Sequence, residues 1–270
     1  MNYIRIDATN LDGFTSVLPA SYFDGAGICL GAYEEDGSVC GAIALSYDGV
    51  QYDIDWLYVV GEKRLAGVGT GLIREVKHIV AELGVAPIRA QFDIEEDTGL
   101  YAFFLSMDDP DFTVDVAYSH NRYFSNTEDF IESFGGGDFL KLPRPRLFWS
   151  LKEELKDQAL SLAMEHLEIT DAERFESSCE KTLCLAVSDG EIVNSFMMVQ
   201  HTPSGDLSLS YLYAKDQKAL VGMLKAAAIE AQENFHDKNI FFDAVTDEAE
   251  ALADKILPGA IRHAVYEVEL

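Results

Sequence analysis

The stretch Gly61-Glu62-Lys63-Arg64-Leu65-Ala66-Gly67-Val68-Gly69-Thr70-Gly71 holds the residues best suited to chemistry. An arginine, a threonine and closely spaced glycines sit where a β-branched and aromatic run gives way to a helical pattern. Such a strand-to-helix turn suits a phosphate. The first amides of a helix have no internal acceptor, and the helix dipole adds partial positive charge beside them. Glycine lets a diphosphate approach the backbone where a Cβ would stand in the way. The Arg64 guanidinium and the Thr70 hydroxyl add side-chain donors. Two other phosphate loops do not fit. A P-loop closes on Gly-Lys-Ser/Thr, whereas Gly69-Thr70-Gly71 has no lysine, and the glycine spacing is not G-x-G-x-x-G. A glycine-rich helix start with only a packing role is the plainer alternative.

Just upstream, Asp53 and Asp55 lie two apart in a strand-like run, which puts them on one face. Asp55 is nearer the turn and is the candidate general base; a substrate ligand or a solvated strand residue is the alternative. Downstream, Asp93-x-Glu95-Glu96-Asp97 and Asp108-Asp109-x-Asp111 form two acidic clusters. They would suit a cationic ligand, and solvated loops explain them equally well. The histidines at 78, 120, 166, 201, 236 and 263 show no HxxxH or HExxH pair, so no metal site is expected. There is no G-x-S-x-G elbow. Cys29, Cys40, Cys179 and Cys184 show no CxxC spacing and read as free buried thiols of a reducing compartment.

These residues must be carried by alternating strands and amphipathic helices, which argues a mixed α/β fold. Strands are expected at 28–33, 39–46, 51–60 and 87–93, with a further one at 112–118. A helix is expected at 67–83, with Leu72, Val76, Ile79, Val80 and Leu83 on its apolar face and Gly84 as its stop. A short helix follows near 98–107. Gly135-Gly136-Gly137 and Leu142-Pro143-Arg144-Pro145-Arg146 form the clearest break, and a long helix is expected at 150–167.

The second half then repeats the first. Asp36-Gly37-Ser38-Val39 is echoed by Asp189-Gly190-Glu191-Ile192, and Trp56-Leu57-Tyr58 by Tyr211-Leu212-Tyr213. The helix at 67–83 is echoed at 219–235, and Gln91-Phe92-Asp93 by Phe241-Phe242-Asp243. Matches in order at a nearly constant offset point to duplication. Two domains, 1–141 and 142–270, are expected. Where the first half has Arg64-x-x-Gly67-x-Gly69, the second has Gln217-Lys-Ala-Leu-Val-Gly222, with Leu220 where backbone must be approached. The second half is therefore expected to lack the phosphate site.

The formal net charge is −27, spread evenly: 24 acidic and 10 basic residues up to Ser150, 23 and 10 after it. That field opposes phosphate backbones, so nucleic acid is not an expected partner, and it draws cations toward a cleft. No apolar run approaches the roughly 18 residues of a membrane span, and the first residues carry no signal pattern, so a cytoplasmic protein is expected.

With its preceding strand, the 57–72 segment resembles motif A of the GNAT superfamily of acetyltransferases, R/Q-x-x-G-x-G/A after a strand ending in an aromatic-Val pattern. Tyr58-Val59-Val60-Gly61 departs only in having Gly61 where proline is common. The resemblance in element order covers about residues 25–120. It implies two tandem GNAT-like domains, each a mostly antiparallel mixed sheet with a splayed central strand pair flanked by helices. It further implies that Arg64 and the amides of Leu65, Ala66, Gly67, Val68, Gly69 and Thr70 hold the pyrophosphate of acetyl-CoA. Main-chain groups of Leu57, Tyr58 and Val59 would line the pantetheine arm, with an amide there to stabilise an oxyanion. The family often carries a tyrosine acid for the thiolate in the helix after the splayed strand. Here Phe104 stands at that place, and Tyr101, one turn earlier, is the candidate substitute.

The implied activity is transfer of an acetyl group from acetyl-CoA to a primary amine of a small molecule or peptide, with a cationic acceptor suiting the acidic clusters. A non-catalytic acyl-CoA-binding module is the alternative that Phe104 keeps open. Monomer and homodimer are both compatible.

Overall fold

The computed structural model describes residues 1–23, 27–47, 50–84, 86–95, 97–107, 113–134, 142–167, 172–202, 205–257 and 259–270. Residues 135–137, 141, Glu96 and the cluster at 108–111 lie outside the described residues. The strands in chain order are β1 (Asn2–Arg5), β2 (Ile28–Tyr33), β3 (Val39–Tyr47), β4 (Tyr52–Val59), β5 (Ile88–Asp93), β6 (Asp115–Asn126), β7 (Arg146–Leu147), β8 (Leu185–Ser188), β9 (Val193–His201), β10 (Leu207–Ala214), β11 (Asn239–Ala244) and β12 (Ile261–Glu269). The helices are α1 (Ala20–Phe23), α2 (Val68–Leu83), α3 (Thr98–Leu105), α4 (Thr127–Phe134), α5 (Glu153–His166), α6 (Ala172–Ser178), α7 (Gln217–Asn234) and α8 (Asp247–Ile256).

Two compact units result: Met1–Tyr118 with Val265–Leu270, and Ser119–Ala264. They do not follow the break expected at 141/142, and strand pairing supplies the reason. In unit 1, β1 to β4 form an antiparallel run and β5 lies parallel to β4. The free side of β5 is then taken by β12, antiparallel, with Val265 opposite Asp93 and Glu269 opposite Arg89. The last strand of the chain thus completes the first unit, and it buries Val265 and Val268 completely. In unit 2 the order is the same: β7, β8, β9 and β10 run antiparallel, β11 lies parallel to β10, and β6 covers β11.

The strands of each unit carry apolar packing on both faces. In unit 1, Leu72, Ile73, Val76 and Val80 of α2 join Ile43, Leu45, Phe92 and Phe104 on one face, while Phe14, Val17, Leu18 and Cys29 fill the other. In unit 2, Met223, Leu224, Ala227 and Ala231 of α7 pack on one face, and Phe148, Leu155, Phe196 and Met198 on the other. Burial of one large apolar side chain stabilises by about 1.5–3 kcal/mol, so these four clusters hold the units together. Buried positions 68, 71, 72, 73, 76 and 80 of α2 recur at 219, 222, 223, 224, 227 and 231 of α7, a shift of 151 each time. The α2 stripe ends where expected, since Gly84 takes φ 126°, which favours glycine. All four cysteines are buried free thiols. Among the described residues, no helix is long and apolar enough to cross a membrane.

Candidate functional site

The turn is built between the end of β4 and the start of α2. A 3-10 turn at Gly61–Lys63 leaves the strand, and Lys63 is tied down by Glu34 at 2.5 Å, so its ammonium is engaged. Two left-handed residues follow, Leu65 at φ 61° and Gly67 at φ 78°. Leu65 is fully exposed, and a left-handed leucine is strained. Gly67 is the N-cap of α2, and no side chain caps the helix there. The first turn of α2 holds no acidic residue, and the first helical bond runs from the Gly71 N–H to the Gly67 carbonyl at 2.9 Å. The amides of Val68, Gly69 and Thr70 therefore start the helix without intrahelical acceptors.

The glycines divide into two roles. A Cβ at Gly67 would meet nothing within 4 Å, so the need there is the backbone conformation. A Cβ at Gly69 would come 3.1 Å from the Phe103 ring, and one at Gly71 would overlap the Tyr3 hydroxyl. Packing therefore leaves no room for a side chain at Gly71 and little at Gly69. Arg64 is exposed, donates from Nε to the Val59 carbonyl at 3.1 Å and lies 5.8 Å from the Tyr58 ring centre.

β4 positions the rest. It pairs with β5 only at Tyr52–Ile88 and Asp53–Arg89, leaving the later part of β4 without that partner. Its other edge stays bound to β3, where Ile54 faces Leu45 and Trp56 faces Ala44, so Asp55 is the extra residue of a β-bulge. The Val60 N–H bonds to the Cys40 carbonyl on β3. By alternation, the main-chain groups of Leu57 and Val59 point to the opposite side, into the splay.

The bulge also corrects the expectation that Asp53 and Asp55 share one face, because regular alternation stops at Ile54. Asp53 is held by Arg89 at 3.0 Å, and Arg89 also reaches Glu267 at 3.5 Å. Asp55 is exposed, and its charge acts on Tyr22 and Cys29. Burial, then Asp55, pushes the Cys29 thiol up to about 11. Burial also raises Tyr22, with Asp55 and Asp97 adding to it. Of the acidic cluster at 93–97, Asp93 is buried and accepts from the Glu95 amide at 2.9 Å, a structural turn.

Unit 2 repeats the bulge and splay but not the turn. β10 bulges at Ser210 and pairs with β11 only at Leu207–Ile240 and Ser208–Phe241. That register sets Asp243 opposite the place of Gln91, not of Asp93 as the sequence echo implied. Asp216 caps α7, accepting from the Lys218 amide at 3.0 Å. Gly222 falls at the place of Gly71, and a Cβ there would come 2.7 Å from the Pro143 carbonyl. Leu220 stands at the place of Gly69.

No family model matches the sequence, and no curated protein matches it. Solved structures do. A fungal multi-domain GH3 β-N-acetylglucosaminidase with a GCN5-related glucosamine N-acetyltransferase region aligns over 99% of this chain at TM-score 0.65 and 13% identity. This chain spans only 38% of that one. A GCN5-related N-acetyltransferase from Sphaerobacter thermophilus aligns over 99% of this chain and 95% of its own at TM-score 0.61 and 12% identity. A tandem GNAT protein from the clavulanic acid biosynthesis pathway aligns over 98% and 88% at TM-score 0.56 and 15% identity. The chain has the GNAT fold.

Within this GNAT fold, α3 carries the remaining candidates. Phe104 is buried and stacked on Phe92 at 5.9 Å between ring centres. Tyr101 is half-buried, 6.2 Å from Phe92 and 5.0 Å from Tyr266. Tyr266 arrives on β12, from the far end of the sequence, so local pattern could not announce it. Tyr22, which feels the Asp55 charge, lies 33 residues before it on a helix of 4 residues, so local pattern could not announce that proximity either.

Proposed function

We propose that unit 1 binds acetyl-CoA, or a related acyl-CoA, at the 64–70 turn and transfers the acyl group to a primary amine. The observation that carries this reading is the uncapped start of α2 beside a bulged, splayed β4. A polyphosphate fits that place: open amides and the helix dipole converge there, the first turn of α2 holds no acidic side chain, and Arg64 stands beside it. Acetyl-CoA supplies an activated acyl carbon and a thiolate leaving group. The chain supplies the remainder. The Leu57 and Val59 main-chain groups face the splay, where an extended arm can pair as an added strand. The Val59 carbonyl is taken by Arg64, so either its N–H alone serves or Arg64 swings to the phosphates.

Attack needs a neutral amine. Asp55, exposed at the bulge, would accept the proton directly or through water, and the C–N bond forms as the C–S bond breaks. A main-chain N–H in the splay would steady the carbonyl oxygen. The thiolate takes its proton from Tyr101 or from water. A second reading, a binding module without turnover, is favoured by one observation: Phe104 places a buried ring, without a proton, at the family's acid position.

Calorimetry with acetyl-CoA on wild type and Gly67→Asp tests the binding step. Wild type should bind, and the variant should lose at least about 100-fold in affinity, since an acidic cap consumes the amides and repels phosphate. No binding by wild type would sink the reading. Thiol release across a panel of amines decides between transferase and binding module. Unit 2, capped by Asp216, is proposed to hold no acyl-CoA.

A further inference from the structure

β4 and β5 part at a charged junction. Their last paired residues are Asp53 and Arg89, and the Arg89 Nε donates to Asp53 Oδ1 at 3.0 Å. The same guanidinium reaches across to β12, where its Nη1 lies 3.5 Å from Glu267 Oε2. Glu267 in turn accepts from the Gln91 side-chain amide at 2.9 Å. One arginine therefore ties three neighbouring strands together at the apex of the splay, and all three ionic side chains are only partly exposed. Two residues further along β4, the bulge at Asp55 bends the strand away from this junction.

Unit 2 parts its strands at the corresponding place without such a tie. Its last parallel pair is Ser208 and Phe241, and the Phe241 ring meets Phe124 edge-on at 4.6 Å between ring centres. Bulge and register are therefore enough to form a splay. The charged apex belongs to the unit that also has the uncapped helix start, and what it adds is resistance to further opening. An extended arm that pairs along the free edge of β4 enters as a wedge between β4 and β5, so the load falls on their last pair. We infer that Arg89 is a positioning residue, which holds β4 and β12 on β5 so that an acyl-CoA arm seats along residues 57–59 at a fixed depth; this rests on the acyl-CoA reading above and deepens it. In this role Arg89 acts through Asp53 and Glu267, without touching the arm or the phosphates.

The nucleotide half of CoA separates the arm from the phosphates. Calorimetry on the full chain compares acetyl-CoA with 3′-phospho-ADP. Arg89→Met should lose about fivefold in acetyl-CoA affinity, the upper scale of a partly exposed ion pair, with the affinity for 3′-phospho-ADP unchanged. Asp53→Asn should act in the same direction, and the double variant should lose no more than Arg89→Met alone, since both changes remove one contact. Melting midpoints check that each variant folds, which the uncharged apex of unit 2 leads us to expect. Wild-type affinity for acetyl-CoA in Arg89→Met, equal losses for the two ligands, or additive losses in the double variant would each overturn the inference. Failure of the parent reading is separate and shows as no acetyl-CoA binding by the wild-type chain.

Discussion

The two units share strand order, bulge and splay, but differ in how the fourth strand reaches its helix. In unit 1, eight residues, 60–67, separate the end of β4 from the start of α2. In unit 2, only residues 215 and 216 lie between β10 and α7. The longer connection contains both left-handed residues and leaves the helix uncapped. The shorter one runs straight in, capped by Asp216. Even the cation survives the change: Lys215 stands 6.0 Å from the Tyr213 ring centre, as Arg64 stands over Tyr58. Under the proposed function, a splayed sheet would therefore not be a binding site by itself. Six residues of turn, and the absence of one cap, separate a helix start that leaves its amides open from one that spends an amide on Asp216.

If each unit depends on a strand from the other half of the sequence, deleting residues 261–270 should break the comparison most severely. Unit 1 would lose Val265 and Val268, both fully buried, the Tyr266 rings against Phe92 and Tyr101, and a whole ladder against β5. At about 1.5–3 kcal/mol for each large side chain, that loss is comparable with the 5–15 kcal/mol stability of an ordinary domain. We expect loss of acetyl-CoA binding and of the cooperative melt of unit 1. A truncated chain that still binds acetyl-CoA with native affinity would show that β12 is dispensable.

How much of this was legible in the sequence follows from what each feature depends on. The strand at 28–33 and the helix at 67–83 match β2 and α2 to within a residue, because their apolar periods, Gly84 and the turn before β3 are local signals. The bulge at Asp55 was invisible, since it is set by pairing with β3 and not by residue type. The strand expected at 112–118 runs instead as Asp115–Asn126: Ser119-His120-Asn121-Arg122 reads as loop by composition, but its partners in β11 satisfy it as strand. The domain break drawn from glycine and proline could not reveal that the final strand returns to unit 1, a fact of tertiary pairing. The tie from Arg89 to Asp53 and Glu267 was hidden for the same reason.

The same strand position carries opposite chemistry in the two units, which gives a pH test. Gln91 bonds Glu267 at 2.9 Å, whereas Asp243 receives two bonds from Arg122, at 2.6 and 2.8 Å. Burial alone would raise Asp243, but His120 and Arg122 outweigh it and hold the carboxyl at about 2. A carboxyl lowered on folding stabilises above its unfolded value near about 3.9, and that contribution disappears as pH falls from about 4 to 2. Asp243→Asn should therefore lose about 2 kcal/mol against urea at neutral pH, with the gap to wild type closing below pH about 4. A gap that stays constant down to acid would mean that the ion pair does not stabilise unit 2.

Arg64 sharpens the comparison at the turn itself. Its guanidinium is exposed and bonded to one main-chain carbonyl, so Arg64→Ala should leave the melting midpoint nearly unchanged. A charge-assisted contact to phosphate stabilises by about 1.5–3 kcal/mol, which corresponds to roughly 10–100-fold in acetyl-CoA affinity by calorimetry. An unchanged affinity would place the whole cofactor interaction on the α2 amides.

The smallest effect is the most pointed one, because it strips unit 2 of the feature that distinguishes it. Asp216→Ala removes the cap from α7 and should destabilise unit 2 by about 1 kcal/mol in urea unfolding. It should not create an acyl-CoA site. Freed amides at 217–219 would still lack the eight-residue approach, Leu220 would still stand at the place of Gly69, and no left-handed glycine precedes the helix as Gly67 does. Calorimetry should therefore give one acetyl-CoA per chain for wild type and variant alike. A second binding event in Asp216→Ala would show that capping alone silences unit 2, and would move the explanation from the turn to the single carboxylate.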